Sequence, residues 1–70
     1  MVPPKARLEG YEIMEIQTRL RAAGLNPGPL DGIAGGQTTN AIKDYETSQG
    51  KLPTGKADGA LLQQLRQEKK

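Results

Sequence analysis

The chain has 70 residues, of which 34% are hydrophobic, and it contains two tyrosines but no Phe or Trp. A chain this short forms one domain without a deep enclosed active site, and its scarcity of aromatic residues argues against a core built on a sheet. Ten Lys and Arg against eight Asp and Glu give a net charge of only +2, which is not the basic footprint of a nucleic-acid-binding protein. The absence of Cys and His excludes disulfides, thiolate or imidazole zinc sites and a histidine base.

Residues 1–9 form a polar, Pro-containing segment without periodicity, which predicts a linker or fraying end. This segment has no apolar stretch typical of a signal peptide, and no other part of the chain approaches the length of a membrane span. We therefore predict a folded domain over residues 10–67, followed by a charged tail over residues 68–70. If the native protein is exported, its signal is expected outside this sequence.

The first predicted helix begins at Tyr11 and makes about three turns. Apolar residues recur there at spacings of three and four, namely Ile13, Ile16 and Leu20. Gln17 falls on or near the same face, so this face is expected to pack against the rest of the domain. Gly24 is expected to end the helix in the left-handed conformation, and Leu25 to fold back as the accompanying hydrophobic contact.

The next connection is rich in turn-forming residues, Asn26-Pro27-Gly28-Pro29. Each proline disfavours helix in the residue before it, so the chain is expected to run extended or to turn. Leu30 is predicted to anchor this loop in the core. Asp31 and Gly32 predict a tight turn, in which the carboxylate accepts backbone N–H groups and the glycine adopts a positive φ.

The second predicted helix begins close to Gly35 and ends before Gly50. Its apolar face is formed by Thr38, Ala41, Ile42 and Tyr45. In the following loop Leu52 is predicted to be a second apolar anchor. Asp58 is well placed to cap a short third helix, because leucines follow it at helical spacing. The predicted fold is all-α, with three short helices joined by Gly/Pro-rich ordered loops.

The ordered set of motifs resembles the peptidoglycan-binding domain family, a small three-helix module appended to many bacterial wall hydrolases. The motifs that carry the resemblance are Ile16-Gln17 with Gly24-Leu25, the stretch Gly28 to Thr38, Ala41-Ile42 with Tyr45, and Gly50 to Leu65. The sequence departs from the family's usual residues at Ala34, Gly36, Glu46 and Leu61. The resemblance implies a three-helix fold and binding of peptidoglycan glycan or stem peptide.

The candidate ligand-binding residues surround the start of the second helix: Asp31, Gly32, Gly35, Gly36, Gln37 and Asn40, with Tyr45 and Arg19 flanking them. Gly35 and Gly36 would let a ligand reach free N–H groups at a helix N-terminus, or would serve only a tight start of the helix. Asp31 would contact the ligand or fix its own loop. Gln37 and Asn40 are the exposed candidates, because Thr38 is expected to bond back to the helix cap.

The two flanking candidates each have a second interpretation. Tyr45 would stack on a sugar or would pack in the core, and Arg19 would meet acidic wall groups or would form part of a solvated helix face. Three aspartates without a cleft do not provide an acid–base pair, so we predict no catalytic residues, no cofactor and no metal.

The sequence thus predicts a non-catalytic, monomeric module that binds peptidoglycan and holds an attached or partner catalytic domain at the wall. This role places it in the periplasm or at the cell wall, if its parent protein is exported, without nucleic-acid binding or membrane insertion. The alternatives are a protein–protein interaction module with the same fold and a helix-turn-helix nucleic-acid binder. The near-neutral charge and the glycine-rich start of the second helix argue against the nucleic-acid binder.

Overall fold

The computed structural model describes residues 8–68, so the predicted lead-in residues 1–7 and the tail residues 69–70 lie outside the described part. Three helices follow one another along the chain: α1, Gly10–Ala22; α2, Gly36–Ser48; and α3, Gly59–Gln67. No strand occurs within residues 8–68. The all-α prediction is confirmed.

Helix α1 packs against both α2 and α3, and the core lies where the three meet. Its buried hydrophobic residues are Ile16, Leu20, Ala41, Ile42, Tyr45, Leu61, Leu62 and Leu65. Leu8, Leu25 and Ala57 are partly buried against this core. Leu8, which the sequence analysis placed in the lead-in, therefore contacts the folded domain.

The ends of α1 are closed by hydrogen bonds that the sequence encodes locally. The Glu12 carboxylate accepts the Glu9 N–H at 2.8 Å, which satisfies a backbone group just before the first turn. At the other end Gly24 has φ +90°, and the Leu25 N–H bonds to the Leu20 carbonyl at 3.0 Å. This is the predicted left-handed termination with Leu25 folded back onto the core.

Helix α2 ends in the same way, because Gly50 has φ +75° and the Lys51 N–H bonds to the Glu46 carbonyl at 2.9 Å. Helix α3 begins at the predicted cap, where the Asp58 carboxylate accepts the Leu61 N–H at 2.9 Å. The predicted starts and ends of these helices are thus confirmed to within a residue or two.

The two predicted loop anchors are not core residues. Leu52 is 84% exposed, and Leu30 is only partly buried, whereas Pro27 is the fully buried residue of the first loop. The prediction for Leu52 was wrong because polar contacts hold its loop instead. The Glu46 carboxylate accepts the Gly55 N–H at 2.8 Å and the Thr54 hydroxyl at 2.9 Å.

An ion-pair cluster joins the outer faces of α1 and α3. The Arg66 guanidinium donates to both carboxylate oxygens of Glu15 at 2.7 Å, and Arg19 donates to the same carboxylate at 2.8 Å. The hydrogen bonds from Arg66 are the largest cause of the fall in the pKa of Glu15 from 4.5 to about 2, and they outweigh the opposing effect of burial. None of the helices in the described part is both long enough and apolar enough to cross a membrane.

Candidate functional site

A shallow groove of about 360 Å³ lies between the first loop and the start of α2. Its lining residues are Pro27, Pro29, Asp31, Ile33, Gly35, Gly36, Gln37 and Thr38. This α2 groove brings together four of the predicted binding residues, Asp31, Gly35, Gly36 and Gln37. A larger depression of about 490 Å³ lies along α3, but exposed polar side chains dominate it and none of the predicted residues lines it.

The N-terminus of α2 forms one wall of the α2 groove. Gly35 is the N-cap residue, and within the described chain no side chain caps this helix and no acidic residue lies in its first turn. The first hydrogen bond of α2 runs from the Thr39 N–H to the Gly35 carbonyl at 2.9 Å. The N–H groups of the three residues before Thr39 therefore have no acceptor within the helix. This end of α2 therefore offers hydrogen-bond donors and the positive end of the helix dipole.

The glycines around the groove differ in what the fold requires of them. Gly32 has φ +77°, and an added Cβ would lie 2.7 Å from the Gly10 carbonyl oxygen. Gly35 and Gly36 have no positive φ, and a Cβ at either position would meet no heavy atom within 4 Å. Backbone geometry and packing thus explain Gly32 but explain neither Gly35 nor Gly36.

Asp31 supplies a carboxylate to the α2 groove and also ties its own loop, as one of the two interpretations predicted. Its Oδ1 atom accepts the Ile33 N–H at 2.9 Å and the Gln17 side-chain amide at 3.2 Å. These two bonds hold the pKa of Asp31 below its usual value, so the group is anionic at neutral pH. The groove lining therefore contains both this acceptor and the N-terminus of α2.

The remaining predicted residues lie elsewhere. Asn40 is exposed on α2 and does not line the groove. Gly32 lies in the turn next to Asp31 and does not line the groove either. Arg19 pairs with Glu15 and lines a separate depression of about 90 Å³ next to Leu65. These positions do not join the groove that contains the other candidates.

Tyr45 is only 3% exposed and packs in the core, so the packing interpretation is the one that the structure shows. Its ring offers no free face for a sugar. The hydroxyl lies 3.0 Å from the Glu68 carboxylate, to which it donates. Burial, reinforced by Glu68, raises the pKa of Tyr45 from 10.0 to about 12.

Two parts of the site were missed by the sequence analysis. The Thr38 hydroxyl does not bond back to the helix cap, because it donates to the Pro27 carbonyl at 2.7 Å. Gln17 lies fully buried behind the groove and contacts Asp31, Gly32 and Thr38. The available signal was a glutamine on the apolar face of α1, since a buried polar side chain requires partners.

The described residues contain no group of three or more His, Cys, Asp or Glu side chains that could hold a metal ion. The groove offers hydrogen bonding through backbone donors at α2 and one carboxylate acceptor, and an apolar contact through the exposed side chain of Ile33. Such an arrangement suits recognition of an amide-rich or hydroxyl-rich ligand.

Comparison with known proteins places the chain in a family. A family profile described as "Putative peptidoglycan binding domain" matches residues 9–65. The chain is 44% identical over 57 residues to "Putative OxPP cycle protein OpcA" of Synechococcus elongatus, an alignment that covers 81% of this chain and 13% of that protein.

Among solved structures the chain resembles SltB3 from Pseudomonas aeruginosa, determined in complex with NAG-anhNAM-pentapeptide. The match has a TM-score of 0.82 and 37% identity, and it covers 86% of this chain and 16% of that one. The chain thus spans less than a fifth of the length of either relative. With the family profile matching most of its length and the three-helix fold shared, the chain belongs to the peptidoglycan-binding domain family.

Proposed function

We propose that this domain is a non-catalytic module that binds peptidoglycan through the α2 groove. The ligand lies against the bare backbone of Gly35 and Gly36, where the N–H groups of α2 donate to a carbonyl or carboxylate of the stem peptide. The Asp31 carboxylate accepts from an amide, amine or hydroxyl group of the same ligand. Membership of the peptidoglycan-binding family supports this assignment of ligand class.

The observation that carries the proposal is the presence of two glycines that the fold does not require. A glycine within a helix costs about 0.5–1 kcal/mol relative to alanine, and Ser, Asp or Asn would cap the helix better than Gly35. Both positions open onto solvent without a steric neighbour. A ligand that approaches the backbone closely accounts for the absence of side chains there.

The test is a titration of the isotope-labelled domain with soluble muropeptides, followed by amide chemical shifts. We expect saturable shifts confined to the α2 groove, over residues 31–38. Gly36→Ala is expected to stabilise the fold, because it raises helix propensity, and to weaken binding roughly tenfold, or about 1.4 kcal/mol, because its methyl group enters the groove.

Thr47→Ala is the matched control, since it also raises the helix propensity of α2 but lies exposed at the far end of the helix. It should leave the affinity unchanged. Unchanged binding by Gly36→Ala would show that the glycines do not contact the ligand, and an absence of wild-type shifts at millimolar muropeptide would refute the proposal as a whole.

In a larger protein, the module would hold an attached or partner catalytic domain close to its polymeric substrate. A single shallow groove supports weak binding, and the gain comes from raising the local concentration of the catalytic domain at the wall. This role requires export to the periplasm or cell wall and works with a monomeric domain. Retention of the domain on purified sacculi, competed by soluble muropeptides, is the measurement that checks it.

A second candidate, a protein–protein interaction module, is favoured by the large apolar side chains that remain exposed. Tyr11 is 70% exposed, Ile33 68% and Leu52 84%. A domain of this kind would not be retained on sacculi. Substitution by serine of Tyr11 and Leu52, which lie outside the α2 groove, would abolish partner binding without altering muropeptide titrations.

A further inference from the structure

Gln17 has an unusual position for a polar residue in so small a core. It lies on α1 between the core residues Ile16 and Leu20, and its side chain is fully buried. No buried side-chain nitrogen or oxygen in the described chain lacks a hydrogen-bond partner, so the carboxamide of Gln17 is fully accommodated. Its partners all lie on the first loop or on α2.

The amide nitrogen of Gln17 donates into the back of the α2 groove. It lies 2.9 Å from the Ile33 carbonyl, 3.0 Å from the Thr38 hydroxyl and 3.2 Å from the Asp31 carboxylate. Because the Thr38 hydroxyl donates its own hydrogen to the Pro27 carbonyl, its oxygen is free to accept from Gln17. One amide group therefore fixes residues from both walls of the groove.

The side-chain oxygen of Gln17 completes the arrangement, since it accepts the Gly32 N–H at 2.9 Å. The Gln17 amide nitrogen bonds to Asp31 and Ile33, and the Gln17 oxygen bonds to Gly32 between them. Together these bonds fix the position and the orientation of residues 31–33. A methionine or leucine would fill similar space but would remove the acceptor of the Gly32 N–H and the donor shared by Asp31, Ile33 and Thr38.

We propose that Gln17 is a positioning residue for the α2 groove: its buried carboxamide holds the Asp31 turn at a set distance from the N-terminus of α2, without itself contacting the ligand. This inference rests on the proposed function of the groove. The Asp31 carboxylate and the start of α2 belong to different elements, and the Gln17 amide bonds to both the Asp31 carboxylate and the Thr38 hydroxyl of α2. The affinity of the groove for a wall fragment thus depends on a residue on the opposite side of the loop.

The experiment compares the wild-type domain, Gln17→Met and Leu65→Ala in titrations with a soluble disaccharide pentapeptide. Leu65 is a core residue of α3 outside the groove, so Leu65→Ala destabilises the fold without altering the groove. We expect the folded fraction of Gln17→Met to bind roughly tenfold more weakly and that of Leu65→Ala to bind as the wild type does. Equal affinity of Gln17→Met and the wild type would overturn the inference.

A second measurement on the wild-type domain keeps the inference testable if Gln17→Met does not fold. The side-chain amide resonances of Gln17 should be resolved and slow to exchange with solvent, and should shift as the groove is filled. Saturation of the groove amides without any change at the Gln17 amide would contradict the positioning role. A wild-type domain that does not bind at all would instead overturn the proposed function, and this role with it.

Discussion

The tight turn at Gly32 leaves no room for a side chain, because a Cβ atom there would clash with the backbone of Gly10. Alanine there would have to adopt φ +77° and would place its Cβ 2.7 Å from the Gly10 carbonyl oxygen. The left-handed conformation alone costs a non-glycine residue about 1–2 kcal/mol, and the contact with backbone atoms adds to it. We expect Gly32→Ala to lower the free energy of unfolding, measured by urea denaturation, by more than this.

Gly50→Ala separates the cost of the left-handed conformation from the cost of the steric clash. Gly50 has φ +75°, but a Cβ there would meet no heavy atom within 4 Å, so only the conformational cost applies. Gly50→Ala is therefore expected to destabilise the domain less than Gly32→Ala. Equal losses would show that Gly10 moves aside without cost.

Residues with local partners were predictable from the sequence, and residues with distant partners were not. Gly24, Asp31 and Asp58 bond to backbone groups within a few positions along the chain, and each adopts the predicted role. Gln17 and Thr38 instead bond to each other across 21 positions. Sequence spacing carries no record of which distant donor meets which acceptor.

On the scale of the helices, the cap of α3 sets its start. Asp58→Ala removes the carboxylate that accepts the Leu61 N–H. We expect a loss of about 1 kcal/mol in the free energy of unfolding, because one N–H in the first turn is left without its side-chain partner. Thermal denaturation followed by circular dichroism measures the effect, and Asp44→Ala, an exposed aspartate within α2, should not reproduce it.

The contact between α1 and α3 should depend on acid through Glu15. Its folded-state pKa of about 2 lies below the ordinary value of 4.5, so its contribution to stability is complete above pH 4.5 and is lost as the pH falls towards 2. The difference in melting temperature between the wild type and Glu15→Gln should therefore shrink across this range. High salt should also reduce it, since the side chains of Arg19 and Arg66 are 41% and 49% exposed to solvent. A difference that stays constant from pH 6 to pH 2 would exclude the ion pair as its source.

The helices themselves were predictable because apolar spacing and glycine terminators agree along the chain. The path of the second loop was not predictable, because Leu52 is apolar, as a core anchor would be, but is exposed to solvent. Glu46, whose carboxylate bonds to Gly55, takes over that function. A polar side chain that binds a loop backbone has no apolar periodicity to reveal it.

For the molecule as a whole, Tyr45 predicts an upper pH limit of stability. The folded state holds the phenol proton more tightly than the unfolded chain, because the folded-state pKa is about 12 against an ordinary value of 10.0. Its contribution to stability is therefore present below pH 10 and is lost as the pH rises towards 12. Chemical denaturation across this range should show a steeper loss for the wild type than for Tyr45→Phe. All other side chains are common to both proteins, so the comparison isolates the contribution of the Tyr45 hydroxyl.

The overall architecture and four of the eight residues that line the α2 groove were predicted from the sequence, whereas the residues that support the groove were found only in the structure. The predicted cluster at the start of α2 includes Gly35, Gly36 and Gln37, which lie together in the groove because they are adjacent in the sequence. Tyr45 and Arg19 were predicted to flank it because of their side-chain chemistry, but in the structure Tyr45 packs in the core and Arg19 pairs with Glu15. Spacing identifies which face of a helix a residue occupies, but the packing of the other helices decides what that face meets.

The central position of α1 has a consequence for how fast the domain folds. Its contact with α3 joins residues as far apart as Glu15 and Arg66, 51 positions along the chain. Closing so long a loop costs chain entropy before any contact compensates for it, so the search for the native topology is slower than in a bundle whose helices meet only their neighbours in sequence. Core residues of α1, such as Ile16 and Leu20, are thus the positions at which a substitution would most slow refolding.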